Sequence, residues 1–389
     1  MSGVLIHDSL VVGHRKWSKS AVEGGHASGM IVSPFATPRI AEDRNPNAAT
    51  LADDMQELGG SFIFDAMTHV AFLPTSNRRA FYDQWDLWPG TPFDLSTAGA
   101  RAAHVERVFE VQSDLQAPYL APTVQVGNPV SAEAKLALEL ARAGRGLHTR
   151  AWQSLAGTKQ FWSSGPALDG YVGSLATLRS PVWLVTMMND FVLSGEPDLS
   201  DVAAYEGFCR TVKSLSKRSR VIVCYSDFAG LPAVAAGADT VGSGWHRQQR
   251  TFDPKASAWH IDSDPGIRRQ AEYVTQGQLH AVLRRDTADQ IVRWDSTRAD
   301  NIRGGVLPPS ANLERYHHLR QLTSVVRAID GETTSRRRYI ALRDRYSVGA
   351  ALFDDLISAP AVAVKAHDKE VWNTAPSRVL DAYGGAEGF

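Results

Sequence analysis

The 389-residue sequence predicts an α/β fold, a (β/α)8 TIM-like barrel with a C-terminal helical extension. Short apolar runs typical of buried strands alternate with helical segments from residue 29 to residue 244, and such alternation is typical of a parallel sheet covered by helices. Residues 220–244 repeat this unit compactly, as strand, polar turn, short helix and strand. Active sites in these folds lie at the carboxyl ends of the strands, so we expect functional residues there.

Composition narrows the function classes. A hydrophobic content of 43% and a charged content of 21% are ordinary for a globular protein, and the net charge of −1 gives no global attraction to nucleic acid. The two cysteines are too few for a zinc site with four cysteine ligands, and their low number suits the cytoplasm. Since no metal, P-loop, hydrolase-elbow or dinucleotide motif occurs, we expect no metal and no cofactor.

The N-terminal segment carries no signal-peptide pattern, and no apolar run is long enough for a membrane span, so we expect a cytoplasmic protein without a membrane partner. Residues 1–28 mix short apolar pieces with glycines and predict an N-terminal extension or hairpin. The barrel is assigned to residues 29–264. Its first strand is predicted at 29–35, a helix at 50–58 and the second strand at 61–65.

Residues 74–100 are predicted to be an insertion in the barrel and are rich in aromatic side chains, including Trp85 and Trp88. Exposed loops seldom carry so many rings unless they pack over something. One interpretation is a lid held on the barrel mouth by tryptophan packing. The other is a platform that stacks a ring-bearing ligand.

The second half of the barrel follows the same alternation. A strand at 117–126 contains Pro122, which places its first half in a loop or at an edge. The remaining elements are predicted as helices at 99–116 and 131–143, two helices within 147–179 that break near 163–166, a strand at 182–186, a helix at 200–215, and a candidate strand at 256–261.

The C-terminal region, residues 265–389, is predicted to be helical to residue 357, without strand signals, and weakly ordered after residue 359. Residues 291–346 contain 11 arginines and six acidic residues, a local excess of five positive charges. The consecutive Arg336, Arg337 and Arg338 stand out. A solvated charged face explains the excess, and a phosphate-binding face is the alternative.

Polar residues follow three predicted strands. Asp65 ends the second strand, with Thr68 and His69 just after it, and a carboxylate held there can act as a base or bind a ring N–H. Asp227 ends the 220–225 strand and Asn189 follows the 182–186 strand. Each aspartate has a structural alternative, the capping of the helix that follows.

The glycine-rich run that ends the last strand is the fourth candidate for a functional strand end. Gly242 and Gly244 flank Ser243, and Trp245, His246 and Arg247 follow. Glycines let backbone N–H groups approach a phosphate or carboxylate closely, although a tight turn explains the pattern equally well.

Three stretches together resemble the queuine and archaeosine tRNA-ribosyltransferase superfamily, which includes paralogues that place 7-deazaguanines in DNA. They are LGGSFIFDAMTH at 58–69, SRVIVCYSDFAGLPAVAAGADTVGSGWHRQQR at 219–250, and ERYHHLRQLTSVVRAI at 314–329. The resemblance implies a base-exchange transglycosylase in which Asp65 contacts a purine-like base in nucleic acid. It also implies tRNA or DNA as partner, with phosphate contacts from Arg247, Arg250 and the 336–338 arginines, and we add a homodimer as a possible assembly.

Two departures from the family pattern matter. The family's zinc site needs three cysteines and a histidine, which this chain does not supply. Its nucleophilic aspartate falls where this sequence has Gly242-Ser243, so the nucleophile is predicted to be Asp227, or Asp239 from within the strand. The alternatives are a non-catalytic barrel that acts as an interaction subunit, and a barrel enzyme for a small phosphorylated ligand bound at the glycine-rich turn.

Overall fold

A computed structural model describes residues 2–11, 13–42, 45–77, 79–190, 192, 195–257 and 272–389. Eight parallel strands form one curled sheet, in the spatial order β3-β2-β1-β8-β7-β6-β5-β4. Read around the sheet, this is the cyclic strand order of a (β/α)8 barrel. The predicted TIM-like α/β fold with C-terminal helices is therefore confirmed.

The strands are short and mostly buried on both faces. Leu5, Ile31, Ile63, Leu184 and Ile222 belong to an inner cluster, and a larger cluster lies between the sheet and the helices. The bounds are β1 Gly3–His7, β2 Gly29–Val32, β3 Ser61–Phe64, β4 Gln125–Val126, β5 Gln153–Thr158, β6 Val182–Met188, β7 Arg220–Cys224 and β8 Thr240–Gly244, followed by the hairpin strands β9 Tyr273–Gln276 and β10 Ala281–Arg284.

Helices connect successive strands and continue beyond the barrel. Several begin with a side-chain cap, such as Ser310 before α12 and Thr334 before α13. The bounds are α1 His14–Glu23, α2 Ala48–Glu57, α3 Thr68–Ala71, α4 Ala98–Asp114, α5 Ala132–Leu147, α6 Lys159–Trp162, α7 Pro166–Ala176, α8 Val202–Ser216, α9 Leu231–Ala236, α10 Arg285–Trp294, α11 Ser296–Arg303, α12 Ala311–Asp330, α13 Ser335–Ser358, α14 Ala366–Lys369 and α15 Ala375–Glu387. No helix among the described residues is both long and apolar enough to cross a membrane.

The sheet has one seam, between β3 and β4, and the side chain of Gln112 spans it. Gln112 Nε2 donates to the carbonyl oxygens of Phe64 and Leu120, each at 3.0 Å, and its Oε1 accepts from the Leu120 N–H at 2.9 Å. The Gln112 side chain is fully buried. One amide therefore supplies hydrogen bonds that a neighbouring strand supplies elsewhere in the barrel.

Three sequence-based assignments need correction. The hairpin predicted for residues 1–28 is instead β1 and α1, and β1 pairs in parallel with both β2 and β8. The two helices predicted within 147–179 are preceded by an unpredicted strand, β5. The helical region predicted to lack strands contains the antiparallel hairpin of β9 and β10.

Two further assignments concern the less regular segments. The tail after residue 359, predicted to be weakly ordered, forms α14, a π-helical turn and α15. Of the strand predicted at 256–261, residues 256 and 257 belong to a 3-10 turn, and the rest lies outside the described residues.

Candidate active site at the mouth of the barrel

A pocket of about 300 Å³ opens where the carboxyl ends of several strands meet. Its walls come from the segments that follow β1, β2, β3, β7 and β8. They combine aromatic and aliphatic side chains with a few polar groups, the composition typical of small-molecule sites. Among the lining residues are Asp8, Ser9, Ser33, Phe35, Met67, Tyr225, His246, Gln249, Phe252 and Asp253.

Asp8, directly after β1, is the buried carboxyl group of this pocket. Its oxygens accept hydrogen bonds from the Ser33 N–H at 2.7 Å, the Ser33 hydroxyl at 3.1 Å and the Thr37 hydroxyl at 2.6 Å. Burial raises the pKa of Asp8 to about 7 against these hydrogen bonds, and the charge of Asp65 raises it further. Asp8 can therefore carry or release a proton near neutral pH.

Asp65, directly after β3, is the half-buried carboxylate beside it. Its Oδ1 accepts a 2.8 Å hydrogen bond from the Met67 N–H, and the backbone of Met67 is left-handed, with φ of 47°. Asp8 and Asp65 follow strands on either side of β2, as their N–H bonds to Ile31 O and Val32 O show. The strand-end placement predicted for Asp65 is thus observed, and a second carboxyl group accompanies it.

The rings of Tyr225 and Phe252 form part of the pocket wall. Tyr225 stacks on His7 with ring centres 3.6 Å apart, and Phe252 meets Tyr225 edge to face at 5.7 Å. The Tyr225 N–H donates to His7 Nε2 at 3.0 Å, and burial lowers the pKa of His7 to about 3. His7 is therefore neutral, and its stacking supports the Tyr225 ring that lines the pocket.

His69 and Asn189 are buried close to Phe252 and keep unused hydrogen-bonding atoms. The His69 ring lies 6.4 Å from the Phe252 ring, and neither ring nitrogen has a partner among the described residues. Asn189 Nδ2 donates to Phe252 O and Thr251 Oγ1, while its Oδ1 has no partner there. Neither residue lines the pocket itself. Buried polar atoms normally find partners, so these atoms are candidates for contact with a ligand that reaches past Phe252.

Packing explains the two glycines that end the last strand. A Cβ at Gly242 would clash with His7 Nε2, and one at Gly244 would clash with Gln249. Both residues lie in β8, opposite Leu5 and His7 of β1. Protein side chains therefore fill the space that a phosphate cradle would need.

Asp227, the predicted nucleophile, is enclosed by protein partners and is 4% exposed. Its Oδ2 accepts hydrogen bonds from Ser243 Oγ at 2.5 Å and His318 Nε2 at 2.8 Å, and Arg250 Nε lies 3.8 Å away. Oδ1 accepts from the Phe228 N–H at 2.8 Å. Asp227 therefore joins β7 and β8 to α12.

Charges around Asp227 favour its ionised form. Burial alone would raise its pKa, but His318, Arg250 and Ser243 lower it to about 2. The pKa of His318 is lowered by burial and by Arg250, against the effect of Asp227. His318 Nδ1, the other ring nitrogen, lies 2.8 Å from the Thr275 hydroxyl, so both nitrogens of the buried ring have partners.

Other predicted site residues face away from the pocket. The hydroxyl of Thr68 lies 3.0 Å from His104 Nε2, on the side of the aromatic insertion. Trp245 packs edge to face on Trp17 of α1, at 5.1 Å. Arg247 stacks over the Tyr273 ring at 3.9 Å and contacts Glu196.

His246 does line the pocket, whereas Arg250 does not. Burial, followed by the charges of Arg315 and Arg250, lowers the pKa of His246 to about 4. Arg250 Nε donates to the Gly244 carbonyl oxygen at 3.2 Å. The end of β8 therefore has a positive local potential without a protonated histidine.

Arg336, Arg337 and Arg338 lie at the opposite end of the barrel. Arg327, near the end of α12, donates to Ser2 O before β1, and Ser335 contacts Lys213 in the last turn of α8. Arg338 pairs with Asp330 at 2.9 Å. The structure therefore separates these arginines from the pocket, and Arg338 mainly holds the turn between α12 and α13.

Rings of the aromatic insertion pack inward. Trp85 is 2% exposed and donates from Nε1 to Thr37 O at 3.1 Å, while Trp88 stacks on His104 at 4.0 Å. Thr75 Oγ1 donates to Pro254 O, so the segment also contacts the chain after β8. These contacts favour the packed lid over the stacking platform.

Sequence reasoning missed Asp8 and its partners Ser33 and Thr37. The signal was present, because GVLIHD at 3–8 is an apolar run that ends in aspartate, as SFIFD at 61–65 is. Among the described residues, no group of three or more His, Cys, Asp or Glu side chains could hold a metal ion.

Comparisons with known proteins do not identify a family. No family model matches the chain, and a search of curated proteins gives no significant match. Among solved structures, active domain 2 of a Pyrococcus furiosus chitinase is 12% identical, with a TM-score of 0.36, and the match covers 66% of this chain and 92% of that chain. The carboxyl transferase domain of Rhizobium etli pyruvate carboxylase is also 12% identical, with a TM-score of 0.34, and the match covers 98% of this chain and 61% of that chain. A probable tagatose 6-phosphate kinase from Sinorhizobium meliloti is 12% identical, with a TM-score of 0.31, and the match covers 100% of this chain and 98% of that chain. Similarities this weak carry no functional argument.

Proposed function

We propose that the chain is a base-exchange transglycosylase that acts on a purine-like base in nucleic acid and binds this base in the mouth pocket. The observation that carries the proposal is the pair of carboxyl groups at the ends of β1 and β3, one of them with a pKa raised to about 7. Enzymes that cleave glycosidic bonds commonly use two carboxyl groups in different protonation states. The resemblance of residues 58–69 to the ribosyltransferase superfamily supports the same reaction class.

The two carboxyl groups have complementary roles in this proposal. The bond between C1′ of the sugar and the departing base breaks as protonated Asp8 donates a proton to that base. The incoming base gives its ring N–H proton to Asp65 and forms the new bond to C1′. Proton transfer between the two neighbouring groups then restores the starting state. Asp227 takes no part, because its oxygens are hydrogen-bonded inside the protein.

The walls of the pocket suit a flat ligand. Tyr225 and Phe252 offer ring faces and edges, and a volume of about 300 Å³ is in the range of small-molecule pockets. His69 and Asn189 Oδ1 supply unused donors and acceptors near the rings. Tyr225, Phe252, His69 and Asn189 together would recognise both the face and the edge of a purine-like base.

A base-exchange assay tests the proposal. Radiolabelled guanine and 7-deazaguanine are incubated with the protein and either tRNA or duplex DNA, and label in the nucleic acid is counted. We expect exchange in the wild type and a loss of about 100-fold or more in Asp65→Asn and in Asp8→Asn, as for the removal of an acid–base group. Asp169→Asn, an exposed residue paired with Arg210, is the control.

Absence of exchange and of free-base binding in the wild type would overturn the proposal and favour the non-catalytic interaction subunit. The proposal also includes tRNA or DNA as partner, a cytoplasmic location and assembly as a homodimer. Light scattering after size-exclusion chromatography tests the last of these.

A further inference from the structure

Five arginines between residues 315 and 337 form no ion pair with any described acidic residue. In contrast, their neighbours Arg303 and Arg338 pair with Asp300 and Asp330. Four of the five are exposed, and Arg315 is half-buried. The set, which we call the arginine face, is Arg315, Arg320, Arg327, Arg336 and Arg337.

The acidic groups of the same segment do not neutralise this face. Residues 311–337 contain three acidic side chains, Glu314, Asp330 and Glu332. Glu314 is buried and accepts from the Thr275 N–H at 2.6 Å, and Asp330 is paired with Arg338. Within residues 311–337 only Glu332 remains, and Glu272 of the segment before β9 acts on Arg315, so the segment keeps a local positive excess on a chain whose net charge is −1.

The arginine face runs from the mouth of the barrel to its base. At its start, His318 of α12 bonds Asp227 at the end of β7. Further along, Thr323 Oγ1 donates to His26 O before β2, and Arg327 reaches Ser2 before β1. Twelve residues separate Arg315 from Arg327, which is about 18 Å along a helix.

The pocket lies at the upper end of this face. The guanidinium of Arg315 lies 3.8 Å from the ring centre of Trp245, and the next residue, His246, lines the pocket. After burial, the charge of Arg315 is the largest influence that lowers the pKa of His246. Arg315 is therefore the member of the set whose charge reaches the pocket, and it lies about 120–140° around α12 from Arg327 and Arg320.

We infer that the arginine face binds the phosphate backbone of a nucleic acid, which runs from the mouth pocket along α12 to the turn before α13. Arginine suits this role because its planar guanidinium forms paired hydrogen bonds with phosphate. A strand of B-form DNA carries one phosphate per roughly 3.4 Å, so the α12 part of the face spans about five phosphates. This inference rests on the proposed function for its substrate class, and it explains how arginines far from the pocket contact the same molecule.

Binding measured across a salt series tests the inference. Fluorescence anisotropy with a labelled 20-base-pair DNA duplex and with labelled tRNA would compare the wild type with Arg320→Gln/Arg327→Gln/Arg337→Gln. The matched control is Arg142→Gln/Arg145→Gln/Arg150→Gln. It makes the same charge change at and just after α5, which packs near β4 and β5 on the far side of the sheet order from β1 and β8.

We expect the face variant to lose about tenfold or more in affinity at low salt, and its salt slope to fall by about one for each arginine removed. The control should match the wild type. Equal losses in both variants, or no loss in the face variant, would overturn the inference. A loss with only one of the two probes supports it and identifies RNA or DNA as the partner.

Two measurements separate this inference from the proposed function. The face variant should bind free base in the pocket as the wild type does. A wild type that shows the expected salt slopes but exchanges no base would contradict the proposed function and leave the inference about the arginine face intact. Arg327 contacts Ser2, so its replacement could also disturb the fold. The double variant Arg320→Gln/Arg337→Gln leaves that contact intact and repeats the test, with an expected fall in the salt slope of about two.

Discussion

Nε2 of His318 on α12 lies 2.8 Å from Oδ2 of Asp227, which follows β7. Ser243 bonds the same carboxylate oxygen from β8, so one buried group joins two barrel strands and the C-terminal region. A strand-end aspartate, the type of residue from which sequence reasoning infers catalysis, here holds the architecture together. Four consequences of the structure can be measured.

Replacement of Asp227 by asparagine should destabilise the fold. At pH 7 the free energy of unfolding should fall by about 3 kcal/mol, because the change removes one partner of a buried ionic network. The folded-state pKa of about 2 lies below the ordinary 3.8, so the ionised form contributes stability above pH 4 that is lost as the pH falls towards 2. Urea denaturation at several pH values should show the two proteins converging over that interval. Equal stability at pH 7 would contradict this account.

Asp8 should give the opposite pH dependence. Its folded-state pKa of about 7 lies above the ordinary 3.8, so the folded protein holds a proton that the unfolded chain has released between these values. Stability should therefore decline from pH 4 to pH 7, by about 4 kcal/mol at most. Asp8→Asn should flatten this decline and be the more stable protein at pH 8, as measured by urea denaturation. An unchanged pH profile in the variant would argue against a buried, protonated Asp8.

His69 and Thr68 are neighbours with different expected roles. His69→Leu breaks no hydrogen bond among the described residues, so stability should change by less than about 1 kcal/mol, while the affinity for free base should fall about tenfold. Thr68→Val removes the contact with His104 and should lower stability by about 1 kcal/mol without loss of base affinity. Calorimetric titration and thermal melts measure both. The reverse pattern would place His69 outside the site.

Gln112→Leu should be strongly destabilising because it leaves three buried backbone groups without partners. We expect the free energy of unfolding to fall by about 3 kcal/mol or more. Gln153→Leu is a graded control, since Gln153 makes a single bond, from Nε2 to Ala141 O at 3.2 Å. Chemical denaturation should give Gln112→Leu a much lower free energy of unfolding than Gln153→Leu. Similar losses of stability in the two variants would contradict the role of Gln112 in joining β3 and β4.

The sequence predicted the barrel because β6, β7 and β8 are apolar or sharply bounded by glycines. It did not predict β5, since QSLAGT has small and polar residues and is buried by its position between β4 and β6. β1 was missed although its pattern matches that of β3. Glycines around it suggested a hairpin, and only its pairing with β8, more than 200 residues away, makes it a barrel strand.

The positions of several residues after strands were predictable. Asp65 and Asn189 follow strands as the sequence predicts, and His246 lines the pocket. The structural role of Asp227 depends on His318, 91 residues later. The hydrogen bonds of Asp8 come from Ser33 and Thr37, 25 and 29 residues later. Pairings over such separations leave no periodic mark in a single sequence.

Because of Gln112, one backbone amide, that of Leu120, can report on motion at the seam between β3 and β4. The N–H of Leu120 is bonded to a side chain, whereas the amides inside β6 and β7 are bonded within strand ladders. Its hydrogen exchange therefore requires only that one glutamine changes rotamer, without the separation of two strands. Exchange at Leu120, compared with exchange in β7, would measure how often the Gln112 side chain leaves the seam while the rest of the sheet stays closed.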